Sequence, residues 1–166
     1  MPSTCNADDI IRLLHLEPLT IEGGFFHETY RSPQRIELPL YRGPRSLATA
    51  IYYLLTPETF SRMHRVPGEE IFHFYLGDPV EMLQLGENGE GEIITMGQDI
   101  AAGMKVQHVV PGGRWQGARL RAGGRFALLG TTMSPGFEYE DYEAGGHELM
   151  EKWPKFAEMI EPLLVS

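Results

Sequence analysis

Residues 61–77, SRMHRVPGEEIFHFYLG, contain the sequence pattern that is most informative about the fold. Its second half is rich in β-branched and aromatic residues, which predicts a strand near residues 71–76. Side chains alternate across a strand, so Glu70, Phe72 and Phe74 are expected on one face. This segment therefore predicts a β-structure with an acidic group and two aromatic rings on the same side.

Short β-branched or aromatic runs separated by Gly and Pro continue on both sides of this segment, from residue 19 to residue 133. This sequence pattern is typical of a β-sandwich or β-barrel. We expect strands near residues 25–30, 47–55, 71–76, 80–85, 92–96, 105–110, 115–120 and 126–133.

Helical spacing appears only at the two ends of the chain. A short helix is predicted over about residues 6–16, capped by Asn6 or Asp8. The tail, about residues 147–164, predicts short helices, with Pro154 dividing them. Their expected buried positions are Leu149, Met150, Trp153, Phe156, Met159 and Ile160. With 166 residues, 42% of them apolar, we expect one domain over residues 1–166, whose barrel spans about residues 19–143.

Net charge and cysteine content restrict the classes of partner and the cellular location that we expect. A net charge of −9 argues against nucleic acid or an anionic membrane as the main partner, since either needs a basic surface. Cys5 is the sole cysteine, so no internal disulfide can form. The first residues contain neither a basic start nor an apolar run, and we expect a cytoplasmic protein. Exposed edge strands of such a barrel favour a homodimer.

Residues 61–77 resemble the first cupin motif, in which two histidines two apart precede a Glu, with a Gly seven residues after the Glu. Glu70 and Gly77 match its second half. His64 stands for the second histidine, one residue further from the Glu than usual, and Arg62 stands where the first should be.

Residues 111–116 resemble the second cupin motif, Pro-x-Gly-x-x-His, with Gln116 in place of the histidine. The resemblance implies an all-β cupin jelly-roll barrel, a double-stranded β-helix, with short helices at both ends. A transition metal needs three or four converging ligands, and the motifs retain only His64 and Glu70. We therefore expect no metal and no cofactor.

Wider similarity points to two groups of cupins. Residues 23–31, 64–75, 115–116 and 135–138 resemble a small uncharacterised cupin-like family, the cupin type five family. Residues 24–30 and 62–64 are more distantly similar to the metal-free dTDP-dehydrorhamnose epimerases. In those enzymes an aromatic strand helps to hold the nucleotide and a histidine removes a proton next to a ketone.

Candidate site residues follow from the motifs and from the strand alternation. His64 is the candidate general base and Glu70 would orient or charge it; alternatively, His64 is only a hydrogen-bonded polar group of the barrel. Arginine forks could hold phosphate or carboxylate and aromatic rings could stack on a flat ligand. Alternation also places Arg62 on the face of His64. The candidate ligand-binding residues are Phe26, Glu28, Tyr30, Arg31, Arg62, Phe72, Phe74, Arg114 and Gln116.

Several side chains have two interpretations. Glu28 lies among aromatic residues and requires either an Arg partner or a ligand donor, since an unpaired carboxylate there would be costly. Tyr139 and Tyr142 could donate a proton, although acidic surface loops often contain such tyrosines. Alternation points His73 away from the site, and His108 could approach it from another strand.

Three functions are consistent with these residues. The first is a metal-independent isomerase or epimerase that acts on a sugar phosphate or nucleotide-sugar, with His64 as base. The second is a non-catalytic module that binds a nucleotide or another anionic metabolite. The third, a metal-dependent oxygenase or isomerase, needs ligands that the motifs lack.

Overall fold

The chain folds into strands from Glu17 to Ala144, between short helical segments. The structure is a computed structural model that describes residues 5–164. Its strands are β1 (Glu17–Pro18), β2 (Phe25–Arg31), β3 (Arg35–Ile36), β4 (Arg45–Ser46), β5 (Thr49–Leu55), β6 (Phe60–Arg65), β7 (Glu70–Gly77), β8 (Val80–Leu85), β9 (Gly91–Met96), β10 (Gln107–Val110), β11 (Trp115–Leu120), β12 (Ala127–Met133) and β13 (Glu143–Ala144).

Helical segments lie at the two ends of the chain. Helix α1 (Ala7–Leu13) begins with a capping box, in which Asn6 accepts from the Asp9 amide and Asp9 accepts from the Asn6 amide. It ends before His15, whose φ of 55° is left-handed. The later helices are α2 (Glu148–Lys152) and α3 (Ala157–Ile160), with 3-10 turns at Tyr139–Asp141, Pro154–Phe156 and Glu161–Leu163. No helix within residues 5–164 is both long and apolar enough to cross a membrane.

Two antiparallel sheets form the barrel walls. One has the order β1-β2-β5-β12-β7-β10 and the other β13-β6-β11-β8-β9, while β3 and β4 form a separate ribbon. From β6 to β8 and from β10 to β12, successive strands alternate between the two sheets, as in a jelly roll. The predicted all-β fold with terminal helices is confirmed. Strand β6 was not predicted, although it carries His64.

The inner faces of the two sheets pack into an apolar core at one end of the barrel. It includes Tyr53 and Leu55 from β5, Phe72 and Phe74 from β7, and Leu129 from β12. A second cluster joins the outside of the smaller sheet to the C-terminal helices. There the predicted set is confirmed, because Leu149 and Ile160 are buried and the other four members pack partly buried against them.

Candidate functional site

A pocket opens at the other end of the barrel, between the two sheets. The space free of protein atoms in the pocket and its mouth is about 630 Å³, but a water-sized sphere can place its centre in only about 60 Å³ of it. The pocket is therefore narrow. It is lined by Leu19, Ile21, Glu22, Phe26, Glu28, Arg31, Thr49, Ile51, His64, Val66, Glu70, Thr131, Met133, Phe137, Tyr139 and Tyr142.

A β-bulge in β6 aims His64 into this pocket. His64 pairs with Gln116 and Ser61 pairs with Ala118, so β6 uses one residue more than β11 between the two pairs. The extra residue shifts the alternation. Consequently Ser61, rather than Arg62, shares the side of His64: its Oγ donates to Glu22 Oε1 at 2.5 Å, and His64 Nε2 lies 3.9 Å from Glu22 Oε2.

The hydrogen bonding of His64 defines its tautomer. Nδ1 lies 2.7 Å from the backbone carbonyl oxygen of Arg62. A carbonyl only accepts, so Nδ1 carries the proton and, in the neutral ring, Nε2 holds a free lone pair. The side chain is only 2% exposed. His64 thus presents a proton acceptor to the pocket next to a carboxylate.

Glu22 reaches the pocket from the loop between β1 and β2. This loop lies against β6, where the Arg62 amide donates to the Glu22 carbonyl at 2.9 Å. Gly23 permits the approach: its φ is +106°, and a Cβ at this position would lie 2.1 Å from the carbonyl oxygen of Phe60. No motif or strand pattern of the sequence indicated Glu22. The adjacent Gly23-Gly24 pair was the only local signal that this loop approaches another strand closely.

Glu70 is the second carboxylate at the inner end of the pocket. It is 9% exposed, and the Gln116 amide donates to its Oε2 at 2.7 Å. Burial raises the pKa of Glu70 to about 7; the charge of Glu22 adds to this, while His64 and hydrogen bonds from Gln116 and Thr131 oppose it. Glu70 can therefore either hold or release a proton near neutral pH.

Tyr142 covers the ring of His64. Their ring centroids are 5.0 Å apart and the planes differ by 16°. The hydroxyl group is buried and has no hydrogen-bond partner within the described part of the chain. Burial raises the pKa of Tyr142 above its ordinary value, and the charge of Glu22 acts in the same direction. Tyr142 therefore stays a neutral phenol, able to donate a hydrogen bond to a ligand.

A buried ion pair holds the segment that carries Tyr142. Arg45 donates through Nε and Nη2 to the two oxygens of Asp141, at 2.9 and 2.7 Å, and is 2% exposed. Asp141 ends the 3-10 turn directly before Tyr142. Such a two-pronged contact fixes orientation as well as distance. The Arg45–Asp141 pair thus positions Tyr142 over His64.

The rim of the pocket is built by a second bulge, in β2. Glu28 pairs with Ile51 but Tyr30 pairs with Ala50, so one residue is inserted. Regular alternation would place Tyr30 on the face of Phe26 and Glu28, but the inserted residue reverses it: Arg31 lines the pocket with Phe26 and Glu28, and Tyr30 is 53% exposed. Arg31 holds both oxygens of Glu28 at 2.9 Å. Of the two interpretations of Glu28, the structure therefore shows the Arg partner.

Other predicted ligand residues lie elsewhere. Phe72 and Phe74 do share the face of Glu70, but they belong to the packed core. The Arg62 side chain lines a neighbouring groove, where Nη1 donates to the Ile21 carbonyl at 3.3 Å. Arg114 lies 3.8 Å from Glu87, outside the pocket lining. Gln116 contributes through its bond to Glu70.

The remaining histidines of the sequence analysis bond outside the pocket. His73 Nε2 lies 3.1 Å from the Thr132 hydroxyl, and His108 Nε2 lies 2.9 Å from Gln84 Oε1. His108 therefore does not complete a site with His64.

The donor set does not fit the metal centre that the cupin motifs describe. Among residues 5–164, no three His, Cys, Asp or Glu side chains form a group that could hold a metal ion. At the position of the second-motif histidine, Gln116 donates an N–H to Glu70, so this end of its amide offers no lone pair.

The jelly roll with a polar pocket at one end defines a protein of the cupin class. The chain belongs to the Cupin_5 family, described as "Cupin superfamily (DUF985)", whose model matches residues 8–145. It is similar to the uncharacterized protein YML079W of Saccharomyces cerevisiae, with 31% identity over 134 residues that cover 73% of this chain. The chain spans 66% of the length of that yeast protein.

Two solved structures are similar over nearly the whole chain. Protein SO0799 from Shewanella oneidensis has a TM-score of 0.87 and 32% identity, and the match covers 98% of this chain and 99% of that one. A hypothetical protein from Leishmania major has a TM-score of 0.89 and 28% identity, with 98% and 100% covered.

Proposed function

We propose that the pocket catalyses metal-independent proton transfer at a carbon next to a carbonyl group, as an isomerase or epimerase of small sugar-like molecules. The observation that carries this proposal is the environment of His64. Its Nδ1 proton is engaged by a backbone carbonyl, its Nε2 faces the pocket, and Glu22 Oε2 lies 3.9 Å from Nε2. This is the arrangement of a general base with an adjacent charge.

Each pocket group has a part in the proposed step. His64 Nε2 removes the proton, the C–H bond breaks and its electron pair becomes an enolate, while the carboxylate of Glu22 stabilises the imidazolium that forms. The enolate oxygen accepts a hydrogen bond from the neutral phenol of Tyr142 or from protonated Glu70. Return of the proton to the other face of the same carbon gives the epimer. Return to the carbonyl carbon gives the isomer, provided that the proton of the neighbouring hydroxyl passes to the enolate oxygen. Neither product requires an oxidant or a reductant.

Hydrogen exchange tests this proposal. The protein is incubated in deuterated water with a panel of aldoses, ketoses, amino sugars, sugar phosphates and nucleotide-sugars, and deuterium uptake at carbon is followed by mass spectrometry. We expect uptake with at least one member, and a 10²- to 10⁴-fold slower rate in His64→Gln.

His73→Gln is the matched control, because His73 bonds to Thr132 outside the pocket lining. Its uptake rate should equal that of the unmodified protein. Equal uptake in both variants would show that His64 is not the base.

A non-catalytic binding module is the second candidate. The same ring of His64 is 2% exposed and lies beneath Tyr142, which favours enclosure of a ligand over access for chemistry. A ligand at 100 times its Kd adds about 2.7 kcal/mol of stability, so thermal shifts would detect it. Stabilisation by a panel member without deuterium uptake would favour this function.

A further inference from the structure

Arg31, the cation at the pocket rim, already uses all of its hydrogen-bond donors within the protein. Arg31 has five N–H donors, and each meets an acceptor within 3.5 Å. Nε and Nη2 bind Glu28, Nη2 also binds the Phe137 carbonyl, and Nη1 binds Glu138 and, at 3.5 Å, the Ser46 hydroxyl. A phosphate or carboxylate would have to break these bonds to be recognised by Arg31.

The inner end of the pocket offers acceptors and negative charge. Glu22 and Glu70 each line it, and neither has an ion-pair distance to a Lys or Arg of residues 5–164. His64 Nε2 adds a lone pair, and the Tyr142 hydroxyl oxygen is unpartnered in this part of the chain. A ligand that satisfies these atoms has to supply hydrogen-bond donors, and positive charge would offset the two carboxylates.

Aromatic rings enclose the same space. The pocket lining contains Phe26, Phe137, Tyr139 and Tyr142, and Phe137 and Tyr139 meet edge to face with centroids 5.4 Å apart. The faces of aromatic rings attract cations and do not attract anions. The carboxylates, the acceptors without donors and the aromatic lining therefore all favour a positively charged ligand that donates hydrogen bonds.

We propose that the pocket binds a small organic cation, whose ammonium group lies between Glu22 and Glu70 and donates hydrogen bonds to both. A primary ammonium has three donors and no acceptor, which matches the acceptors around it. This inference rests on the proposed function only in using the same pocket, and it identifies an amine-bearing compound as the substrate or ligand.

Binding should strengthen as the pH rises. An ammonium favours ionised Glu70, whose pKa is raised to about 7. The ionisable groups that act on or face Glu70 are Glu22 from the β1–β2 loop, His64 from β6 and Tyr53 from β5. Proton release from Glu70 increases the negative charge of the pocket and therefore favours a cation above pH 7.

Matched probes test the charge preference. Propylammonium, ethanolamine and galactosamine are compared with propanol, galactose, propionate and inorganic phosphate, at equal ionic strength, by thermal shift and calorimetry at pH 6 and pH 8. We expect at least one amine to bind, at least threefold more tightly at pH 8, with no binding of its neutral or anionic counterpart.

Variants locate the binding. Glu70→Gln keeps the shape and the contact with Gln116, and it should weaken amine binding at least tenfold; Glu22→Gln should do the same. Glu81→Gln, whose carboxylate pairs with Arg121 on the surface, is the control and should bind as the unmodified protein does. Absence of binding by all three amines, tighter binding of phosphate or propionate, or unchanged amine binding in both pocket variants would overturn the proposal.

Failure of this inference is distinguishable from failure of the proposed function. Amine binding without deuterium uptake would support the cation site and contradict the proposed proton transfer. Deuterium uptake into a sugar phosphate, with no amine bound, keeps catalysis and overturns the cation site.

Discussion

The two ends of the barrel interior use the same strand faces for opposite purposes. On β7, Glu70 lines the pocket while Phe72 and Phe74, on the same face, pack in the core. On β12, Thr131 lines the pocket and Leu129, two residues away, belongs to the core. Strand β5 repeats the division: Thr49 and Ile51 line the pocket, and Tyr53 and Leu55 are core residues.

Alternation along a strand thus selects the face of the sheet, whereas position along the barrel axis selects the environment of the side chain. The core end stabilises the fold through apolar burial. The pocket end carries buried polar groups, which cost free energy unless they are paired. Groups kept there in spite of that cost are the expected sites of function.

The largest effect is expected at the core end. Phe72→Ala removes a buried ring, which should lower the free energy of unfolding by about 3–5 kcal/mol. Urea unfolding followed by tryptophan fluorescence measures it. The next residue, His73, points out of the barrel and bonds to Thr132, so His73→Ala should cost about 1 kcal/mol or less. Similar losses in the two variants would contradict the division of the interior.

At the pocket end, a substitution should raise the free energy of unfolding at high pH, in contrast to the loss expected at the core end. Folded Glu70 keeps its proton up to about pH 7, whereas the unfolded chain releases it near pH 4.5. The folded state therefore binds more protons between these values, and the free energy of unfolding falls as the pH rises, by an amount on the order of 3 kcal/mol. Glu70→Gln should remove this loss and be the more stable protein at pH 8.

The difference between the two proteins isolates Glu70. Burial lowers the pKa of His108, so His108 makes stability rise with pH below pH 6.5, but it does so equally in both proteins. Equal pH profiles from pH 5 to pH 8 would refute the raised pKa of Glu70.

An intermediate effect is expected at the ion pair that holds the pocket rim. Asp141→Asn removes the negative charge and one of the two oxygens that accept from the buried guanidinium of Arg45, and should cost about 2–3 kcal/mol. Tyr142 should also lose its fixed position over His64, which ring-current shifts of the His64 resonances would report. Unchanged His64 resonances would show that the pair stabilises the fold without positioning Tyr142.

The smallest effect on stability should come from Tyr142→Phe. The hydroxyl has no partner within residues 5–164, so its removal should change the free energy of unfolding by less than about 1 kcal/mol. Deuterium uptake or amine binding should nevertheless fall, since the pocket loses a polar contact. A variant with unaltered stability, uptake and binding would exclude Tyr142 from the site.

Sequence patterns predicted the fold, and they indicated three residues that the structure places together at the candidate site. Gly and Pro residues between short strands, together with strand alternation, indicated a barrel. The cupin motifs indicated His64, Glu70 and Gln116, which the structure brings together at the pocket. Alternation failed at the two bulges, where one inserted residue turned Arg31 inward in place of Tyr30 and placed Ser61 beside His64 in place of Arg62. A bulge depends on the partner strand, so a single strand's pattern does not reveal it.

The sequence alone determined the features that depend on neighbouring residues along the chain. These are the period of the strands, the residues of the turns and the absence of two histidines from the cupin motifs. Tertiary structure alone decided what depends on strands that meet from distant parts of the chain. It brought Glu22 and Tyr142 to His64, buried Glu70 enough to raise its pKa, and used all the donors of Arg31 on neighbouring acceptors. Charge in a pocket is a sum over such neighbours; the sequence predicts an anionic ligand, whereas for the folded pocket we propose a cation.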